Sequence, residues 1–487
     1  TINIDNNHPF THGTTTFMHN GTIRPSDAAE QFISEKYKAL VTGATDSERF
    51  FYALLSQVDE RLKLLYVGRN TTELMAQLWT TQLIRNIPAL VQQGRSLLHL
   101  KDALRGRAAV VVGAGPSLDE TIPLLREVAG HVTIIVAFKA LRALVAGGVS
   151  PDFVVCLDPK QKVRHLEGVD LSQVGCFVIE AACEDEMLSV AASAPLVPFV
   201  ASDLTAELVR ELKMIEVPLV GTAGSAVHAA IQLGLILGCE HIYLAGTDFG
   251  FPHDRLYATG AGTGDRFAVS ADGKSYSRQP LDSHFRAGGL LHVEANDGSV
   301  IGASLEMIKF REWVERVIAQ QADASSPVHF YNLARQGAVI AGAKAVESIC
   351  IDLDTLSLKP SITSMLEATR AVSKVKFNDL PTKLRRRMDR IRALRDSCNS
   401  VLDRSRKGQD FSRDLERIQS ESKKVIEVST IMNEKLMTLD EYTDRVENRS
   451  RAESDQLLLG LIRHTRQAAD DLLEVYSDVI RRLVAKV

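Results

Sequence analysis

The stretch Ala108-Ala109-Val110-Val111-Val112-Gly113-Ala114-Gly115-Pro116-Ser117-Leu118-Asp119-Glu120 restricts the folds open to this chain more than any other. Five apolar residues, three of them valine, read as a buried strand, because β-branched side chains pack well on a pleated surface. The glycines that follow allow a sharp turn and close approach of a ligand to the backbone. A helix comes next. Ser117, with Glu120 three residues later, has the form of a capping box. Pro123 fits a first turn better if Thr121 is the cap, and both starts stay open. From either start, N–H groups at the helix terminus face the space beyond the strand's carboxyl end, a natural place for a phosphate.

The rhythm set by this stretch continues from residue 106 to about 350. Short apolar runs recur at Val110–Val112, Val132–Ala137, Phe153–Leu157, Phe177–Glu180, Leu196–Ala201, Pro218–Val220, Ile242–Ala245 and Val328–Tyr331, separated by helical segments. Such alternation predicts an α/β fold: a Rossmann-like, doubly wound and mostly parallel sheet. Ligands then bind beyond the carboxyl ends of the strands. There the chain places Gly113–Pro116, Asp158-Pro159, the small residues Gly221-Thr222-Ala223-Gly224-Ser225 before a helix over Ala226–Leu237, and Gly246-Thr247-Asp248. Residues 249–303 form a long polar excursion holding His253, Tyr257, Arg278 and Arg286, with Asn296-Asp297-Gly298 as a tight hairpin turn.

The flanks read differently. Residues 1–105 are expected to be mainly helical after a polar, strand-like opening, with one helix over Ser47–Tyr66, a new start at Asn70-Thr71-Thr72-Glu73, and an end or kink at Pro88. Residues 353–487 read as a helical bundle. Leu384, Met388, Ile391, Cys398 and Leu402 fall at helical spacing; so do Phe411, Leu415, Ile418 and Val425, and a third run covers Leu457–Val484. Between Lys383 and Arg395 seven basic residues, Arg387 among them, are expected to form a solvated face, with docking to an acidic protein as the functional alternative. A chain of 487 residues holds two or three domains, drawn here at 1–105, 106–352 and 353–487. It opens on Thr1, as a fragment or processed product does.

Composition narrows the partners. A net charge of −4 excludes a general nucleic-acid binder, which needs a basic face. No apolar run approaches the ~20 residues of a membrane span. Six cysteines, none in a CxxC pair, fit reduced thiols and a cytoplasmic location. The turn itself excludes more. Leu118 stands where a dinucleotide fold wants its third glycine, and Phe138-Lys139 follows the second strand where NAD, FAD or a methyltransferase cofactor wants an acid. No P-loop sequence is present. No metal-ligand spacing appears, so neither a metal nor a cofactor is expected, Mg²⁺ on Asp158 or Asp248 being the alternative. A nucleotide-linked donor held by its phosphate survives.

Gly113-Ala114-Gly115-Pro116-Ser117-Leu118, Gly148-Val149-Ser150-Pro151-Asp152-Phe153 leading to Asp158, Gly224-Ser225, and Gly246-Thr247-Asp248 with Tyr257 beyond, taken in order, resemble the motility-associated factor (Maf) family of flagellin glycosyltransferases. That family is similar to bacterial sialyltransferases. The resemblance covers about residues 50–350. It implies a sialyltransferase-like central domain and transfer of pseudaminic or legionaminic acid from a CMP-activated donor to serine or threonine hydroxyls of flagellin. It also implies a flagellin-docking role for the C-terminal helices. Two departures stand out: Ala114 replaces the sialyltransferase asparagine, and the acidic turn reads Asp248-Phe249-Gly250-Phe251 with His253 beyond it.

On this reading Gly113, Gly115, Pro116, Ser117, Lys139, Asp158, Thr222, Gly224 and Ser225 bind the donor. The N–H groups of Gly115 and Ser117, joined by those of Gly224-Ser225, would stabilise the charge growing on the leaving phosphate. Asp248 is the first candidate base and His253 the second, while Tyr257 donates a hydrogen bond to the phosphate. Two other classes remain. One is a Mg-ATP-dependent pterin or nucleotide diphosphokinase, since an archaeal pterin pyrophosphokinase shares the Gly-Pro-Ser turn. The other is a non-catalytic flagellin chaperone.

Overall fold

A computed structural model of the chain describes residues 10–12, 15–17, 29–30, 33, 35–42 and 45–485, except 94, 159–162, 192–193, 214–215, 263–265, 280–285, 325, 350–357, 369–376, 411–416, 419–424, 426, 429–430 and 432–450. The chain falls into two compact units, Thr1–Ala76 and Gln77–Val487.

In the first unit, β1 (Phe10–His12) and β2 (Thr15–Phe17) form an antiparallel pair, followed by a short α1 (Glu35–Lys38) and the start of α2 (Asp46–Gln93). Its small core gathers Ile33, Tyr37, Phe51 and Tyr52, and Phe17 stacks on Phe51 with ring centroids 5.5 Å apart. The sequence predicts two helices where α2 is one: Asn70 does not restart it and Pro88 lies inside it. A proline inside a helix costs about 3 kcal/mol. Within the second unit Leu83, Ile84, Ile87, Leu90 and Val91 are all buried around Pro88, and apolar burial of that extent offsets the cost.

The second unit is built on eight parallel strands. In chain order the elements begin with β3 (Ala108–Val112), α3 (Leu118–Val128), β4 (Thr133–Ala137), α4 (Leu141–Ala146), β5 (Phe153–Cys156) and β6 (Cys176–Glu180). They continue through α5 (Asp185–Ala191), β7 (Leu196–Phe199), α6 (Asp203–Leu212), α7 (Ala226–Ile236) and β8 (His241–Ala245). The excursion contributes β9 (Arg266–Val269), β10 (Ser275–Gln279), β11 (Arg286–Gly289), β12 (Leu291–Glu294) and β13 (Val300–Ala303). Then come α8 (Leu305–Ala322), β14 (His329–Asn332) and β15 (Lys344–Ala345). The sheet order is β15-β14-β8-β3-β4-β5-β6-β7.

Alternation along the strands divides the core in two. Val110, Val112, Ile134, Val136 and Ile179 face one layer, which also takes Leu118 and Leu125 of α3 and Leu83–Val91 of α2. Ala109, Val111, Ile135, Phe153 and Val155 face the other, against Ala230, Ile231 and Leu233 of α7 and Val314, Val317 and Ile318 of α8. Apolar residues on both faces of each strand are what a doubly covered parallel sheet requires. Seven of the eight predicted runs are strands of this sheet. Pro218–Val220 is not: it makes a single bridge, Leu219 to Val200, since Pro218 has no N–H to give a ladder. The two-residue β15 is too short to leave an apolar run. The 249–303 excursion holds a three-stranded antiparallel sheet, β11-β10-β9, and the expected hairpin: the Ala295 N–H donates to Ser299 O at 2.8 Å and closes the turn on Asn296-Asp297-Gly298, with Gly298 at φ of +83°.

Beyond the sheet lie α9 (Ile362–Ala368), α10 (Leu380–Arg406) and α11 (Arg451–Val484). Leu384, Met388, Ile391, Cys398 and Leu402 bury as their spacing predicts, together with Ile418 and Val425, and they share a core with the Val110 face of the sheet. Phe411 and Leu415 lie outside the described residues. Arg387 departs from the solvated face expected of its cluster. Its Nε donates to Glu427 at 2.7 Å, while Lys383, Arg385, Arg386 and Arg390 stay exposed. Among the described residues no helix is long and apolar enough to cross a membrane.

Candidate active site

In the sheet Val112 lies opposite Ala245, so the turns leaving β3 and β8 meet at the carboxyl edge. Three hydrogen bonds join them. The Gly113 N–H donates to Ala245 O at 2.8 Å, the Gly115 N–H to Gly246 O at 2.8 Å, and the Ser117 N–H to Asp248 Oδ2 at 3.2 Å. The contact explains the glycines. A Cβ at residue 113 would sit 2.4 Å from Gly246 O, and one at residue 115 would sit 2.0 Å from Asp248 Oδ2. Gly246 has φ of +61°, a left-handed conformation suited to glycine.

Two expectations change here. The sequence predicts glycines that admit a ligand; the group they admit is the neighbouring turn. It also gives the N–H groups of Gly115 and Ser117 to a donor phosphate, and both are already taken. Of the two helix starts, the one at Ser117 is seen and the one at Thr121 is not, but Ser117 forms no capping box. Helix α3 begins at Leu118, Ser117 makes no side-chain cap, and Asp248 supplies the carboxylate at the helix N-terminus from across the edge.

Asp248 is 3% exposed, and burial pushes its carboxyl up to about 6 against the opposing pull of Ser117. Its Oδ1, Ser117 Oγ and Thr247 Oγ1 are buried with no hydrogen-bond partner among the described residues. Buried polar atoms are nearly always paired. Three orphans around one contact single this nook out as a place for a polar guest.

The segment after Asp248 folds back over the glycine turn. The Ala258 N–H donates to Ala114 O at 2.9 Å. Asp119, in the first turn of α3, takes the Thr259 N–H at 2.8 Å, Thr259 Oγ1 at 2.9 Å and Arg255 Nη2 at 2.8 Å. Burial works to raise the Asp119 pKa, but these bonds hold it below the usual carboxylate range. The clamp sets Tyr257, whose hydroxyl accepts Lys139 Nζ at 3.1 Å and Arg278 Nη2 at 2.7 Å.

His253 is exposed, with φ of +52°, and its Nε2 donates to Gln336 Oε1 at 2.6 Å. An acceptor on Nε2 leaves Nδ1 of the neutral ring with its lone pair. Gln336 precedes Gly337, whose Cα backs onto Asp248. The turn holding Thr222, Gly224 and Ser225 stands apart: no hydrogen bond among the described residues joins it to the glycine turn. It is ordered locally. Ser225 Oγ caps α7 through the Val227 N–H at 3.3 Å, and His228 Nδ1 accepts the Ala223 N–H at 3.2 Å. His228 Nε2 donates to Phe310 O at 3.0 Å, its ring stacks on Trp313, and burial lowers its pKa to about 4, so the ring is neutral. Asp158 is exposed in the loop after β5, at the same edge of the sheet.

A solved structure, that of Maf glycosyltransferase from Magnetospirillum magneticum AMB-1, aligns with a TM-score of 0.52 at 16% identity, over 91% of this chain and 67% of that one. The fold is that of a Maf glycosyltransferase. Residues 81–254 also match the family described as 6-hydroxymethylpterin diphosphokinase MptE-like. No curated protein sequence matches. The MptE-like match takes in both glycine turns and Asp248 and stops three residues short of Tyr257.

Sequence reasoning missed Asp119, Arg255 and Glu180, and left Arg278 among the unassigned residues of the excursion. Nothing in the spacing marks the first three; Arg278 was visible only as one cation in a polar stretch. Glu180 ends β6 at the carboxyl edge, 4% exposed, with Oε2 unpaired and burial pushing its carboxyl up to about 8. A folded value above the unfolded one means stability is lost as pH rises from about 4.5 to about 8. Glu180→Gln is therefore expected to leave the melting temperature little changed near pH 4.5, and to stabilise by roughly 4–5 kcal/mol at pH 8.5. Melting curves of the two proteins across that range check it.

Proposed function

We propose that this protein is a glycosyltransferase that moves a nonulosonic acid, pseudaminic or legionaminic, from its CMP-activated donor to serine or threonine hydroxyls of flagellin in the cytoplasm. The observation that carries the proposal is the pairing of Lys139 Nζ with Tyr257 OH over the glycine turn, at the carboxyl edge of a sheet with the Maf fold. Among the described residues no carboxylate pairs with Lys139, so its charge is available to a phosphate.

In the proposed step the acceptor oxygen attacks the anomeric carbon as the bond from that carbon to the phosphate oxygen breaks. Lys139 and Tyr257 meet the charge arriving on the phosphate, and His253 Nδ1 takes the acceptor's proton. His253 replaces Asp248 as first candidate base because a protein acceptor reaches an exposed imidazole and not a carboxylate 3% exposed. Asp248 acts by holding the two turns together. Gly113, Gly115, Pro116 and Ser117 form the floor, with Asp158, Thr222, Gly224 and Ser225 farther along the same edge for the nucleoside. The C-terminal helices dock flagellin in this reading.

Purified protein titrated with CMP and assayed for transfer tests the proposal. His253→Ala is expected to lower the transfer rate by about 10²-fold or more with CMP affinity kept. The MptE-like match favours one other reading, a Mg-ATP-dependent diphosphokinase. Failure to bind CMP, together with AMP release from Mg-ATP, would establish that reading and overturn this one.

A further inference from the structure

Beyond Asp248 the backbone takes an uncommon course. Phe249, His253 and Asp254 have left-handed φ, at +46°, +52° and +53°, a conformation that residues with a Cβ rarely adopt. Both ends of the segment are tied: the Phe251 N–H donates to Gly302 O at 2.7 Å, and Arg255 Nη2 to Asp119 Oδ2 at 2.8 Å. This course aims the His253 ring at Gln336, whose Oε1 takes the Nε2–H at 2.6 Å. Gln336 sits on a turn fastened from three directions. Asn332 Oδ1, at the end of β14, accepts the Ala334 N–H at 3.0 Å. Asn296 of the hairpin turn donates its Nδ2 to Ala334 O at 2.8 Å and its N–H to Gly337 O at 3.0 Å. The Ala338 N–H donates to Asp248 O at 2.8 Å. Asn296 therefore has a task besides its own turn, one that hairpin chemistry does not require.

We infer that Gln336 is a positioning residue for His253: its amide oxygen keeps the ring proton on Nε2, so that the Nδ1 lone pair is the one that meets the acceptor hydroxyl. The inference rests on the transferase reading above. A neutral imidazole is a base at one nitrogen only, and the partner of the other nitrogen sets which one. His253 is exposed, and without such a partner its ring would turn and exchange tautomers in water. An amide holds it without charge. A carboxylate in its place would set a negative group beside a donor that already carries a phosphate. The Gln336 turn also rests on Asp248: a Cβ on Gly337 would lie 3.0 Å from Asp248 Cα. The acidic turn after β8 and the base thus share one scaffold.

The test compares wild type with Gln336→Met, Gln336→Glu and Gln336→Lys, each shown to be folded by circular dichroism. Nitrogen NMR of histidine-labelled protein without substrate reads the tautomer, the His253 signals being those lost in His253→Ala. Wild type and Gln336→Glu are expected to carry the proton on Nε2, and Gln336→Lys, which offers only a donor, to move it to Nδ1. In transfer assays Gln336→Met is expected to lower kcat about 10-fold with the donor KM unchanged, because nothing then fixes the ring. Gln336→Glu keeps the acceptor, so kcat stays within about threefold while the donor KM rises. Gln336→Lys lowers kcat about 10²-fold, as His253→Ala does. A wild-type ring protonated on Nδ1, identical ring signals in wild type and Gln336→Lys, or an unchanged kcat in Gln336→Met overturns the assignment and leaves the transferase reading standing. The expected ring signals in a folded wild type that transfers nothing overturn that reading, and with it this role for Gln336.

Discussion

Gly113→Ala is expected to lower stability by at least about 3 kcal/mol and to abolish CMP binding. A Cβ there would lie 2.4 Å from Gly246 O and 3.1 Å from Gly246 C, both backbone atoms of the turn leaving the adjacent central strand. No rotamer relieves such a contact; β3 and β8 must move apart, and they sit in the middle of the sheet. Gly115→Ala differs in an instructive way. Its nearest obstacle is a side-chain atom, Asp248 Oδ2 at 2.0 Å, with Gly246 O next at 2.9 Å. Adding Asp248→Ala should recover part of the stability lost in Gly115→Ala, so the two changes will not be additive. Gly221→Ala is the control, since a Cβ there meets nothing within 4 Å. Urea denaturation and CMP titration of the set check the claim; a Gly113→Ala protein as stable as wild type would refute it.

Glu427→Ala should be nearly as costly, by about 3–5 kcal/mol, at a place with no part in the chemistry. Glu427 is 1% exposed and receives Arg387 Nε at 2.7 Å and Tyr476 OH at 2.5 Å. It therefore joins α10 to α11 through one carboxylate. Removing it strands the Arg387 guanidinium and a fully buried phenol in the core, and uncompensated burial rather than the lost attraction sets the size of the effect. Arg387→Met combined with Glu427→Leu removes both charges and is expected to recover most of the loss, leaving only the Tyr476 hydroxyl unpaired. Thermal melts of the single and double variants measure this.

The parallel sheet was legible because its strands are buried on both faces, so their sequences are unbroken apolar runs. The small residues at the carboxyl edge were legible too, because close backbone contact leaves a composition signal. What was not legible is who makes the contact. Glycine at residue 113 reads the same whether a phosphate or a carbonyl of the next turn lies against it. The identity of a hydrogen-bond partner more than 100 residues away, such as Asp248 for Ser117 or Tyr257 for Lys139, depends on strand order, and apolar runs do not encode strand order. The sequence reading divides helix α2 at the start signal Asn70-Thr71-Thr72-Glu73 and ends or kinks it at Pro88, which is locally unfavourable. Burial of the residues around it, a tertiary effect, decides the matter. Arg387 follows the same logic, its partner lying 40 residues on.

Crystals soaked with CMP address the central claim most directly. The account predicts the phosphate over the Gly113–Ser117 turn, with oxygens about 3 Å from Lys139 Nζ and Tyr257 OH. A nucleotide phosphate seated instead on the N–H groups of Gly224-Ser225, with Lys139 and Tyr257 untouched, would contradict it.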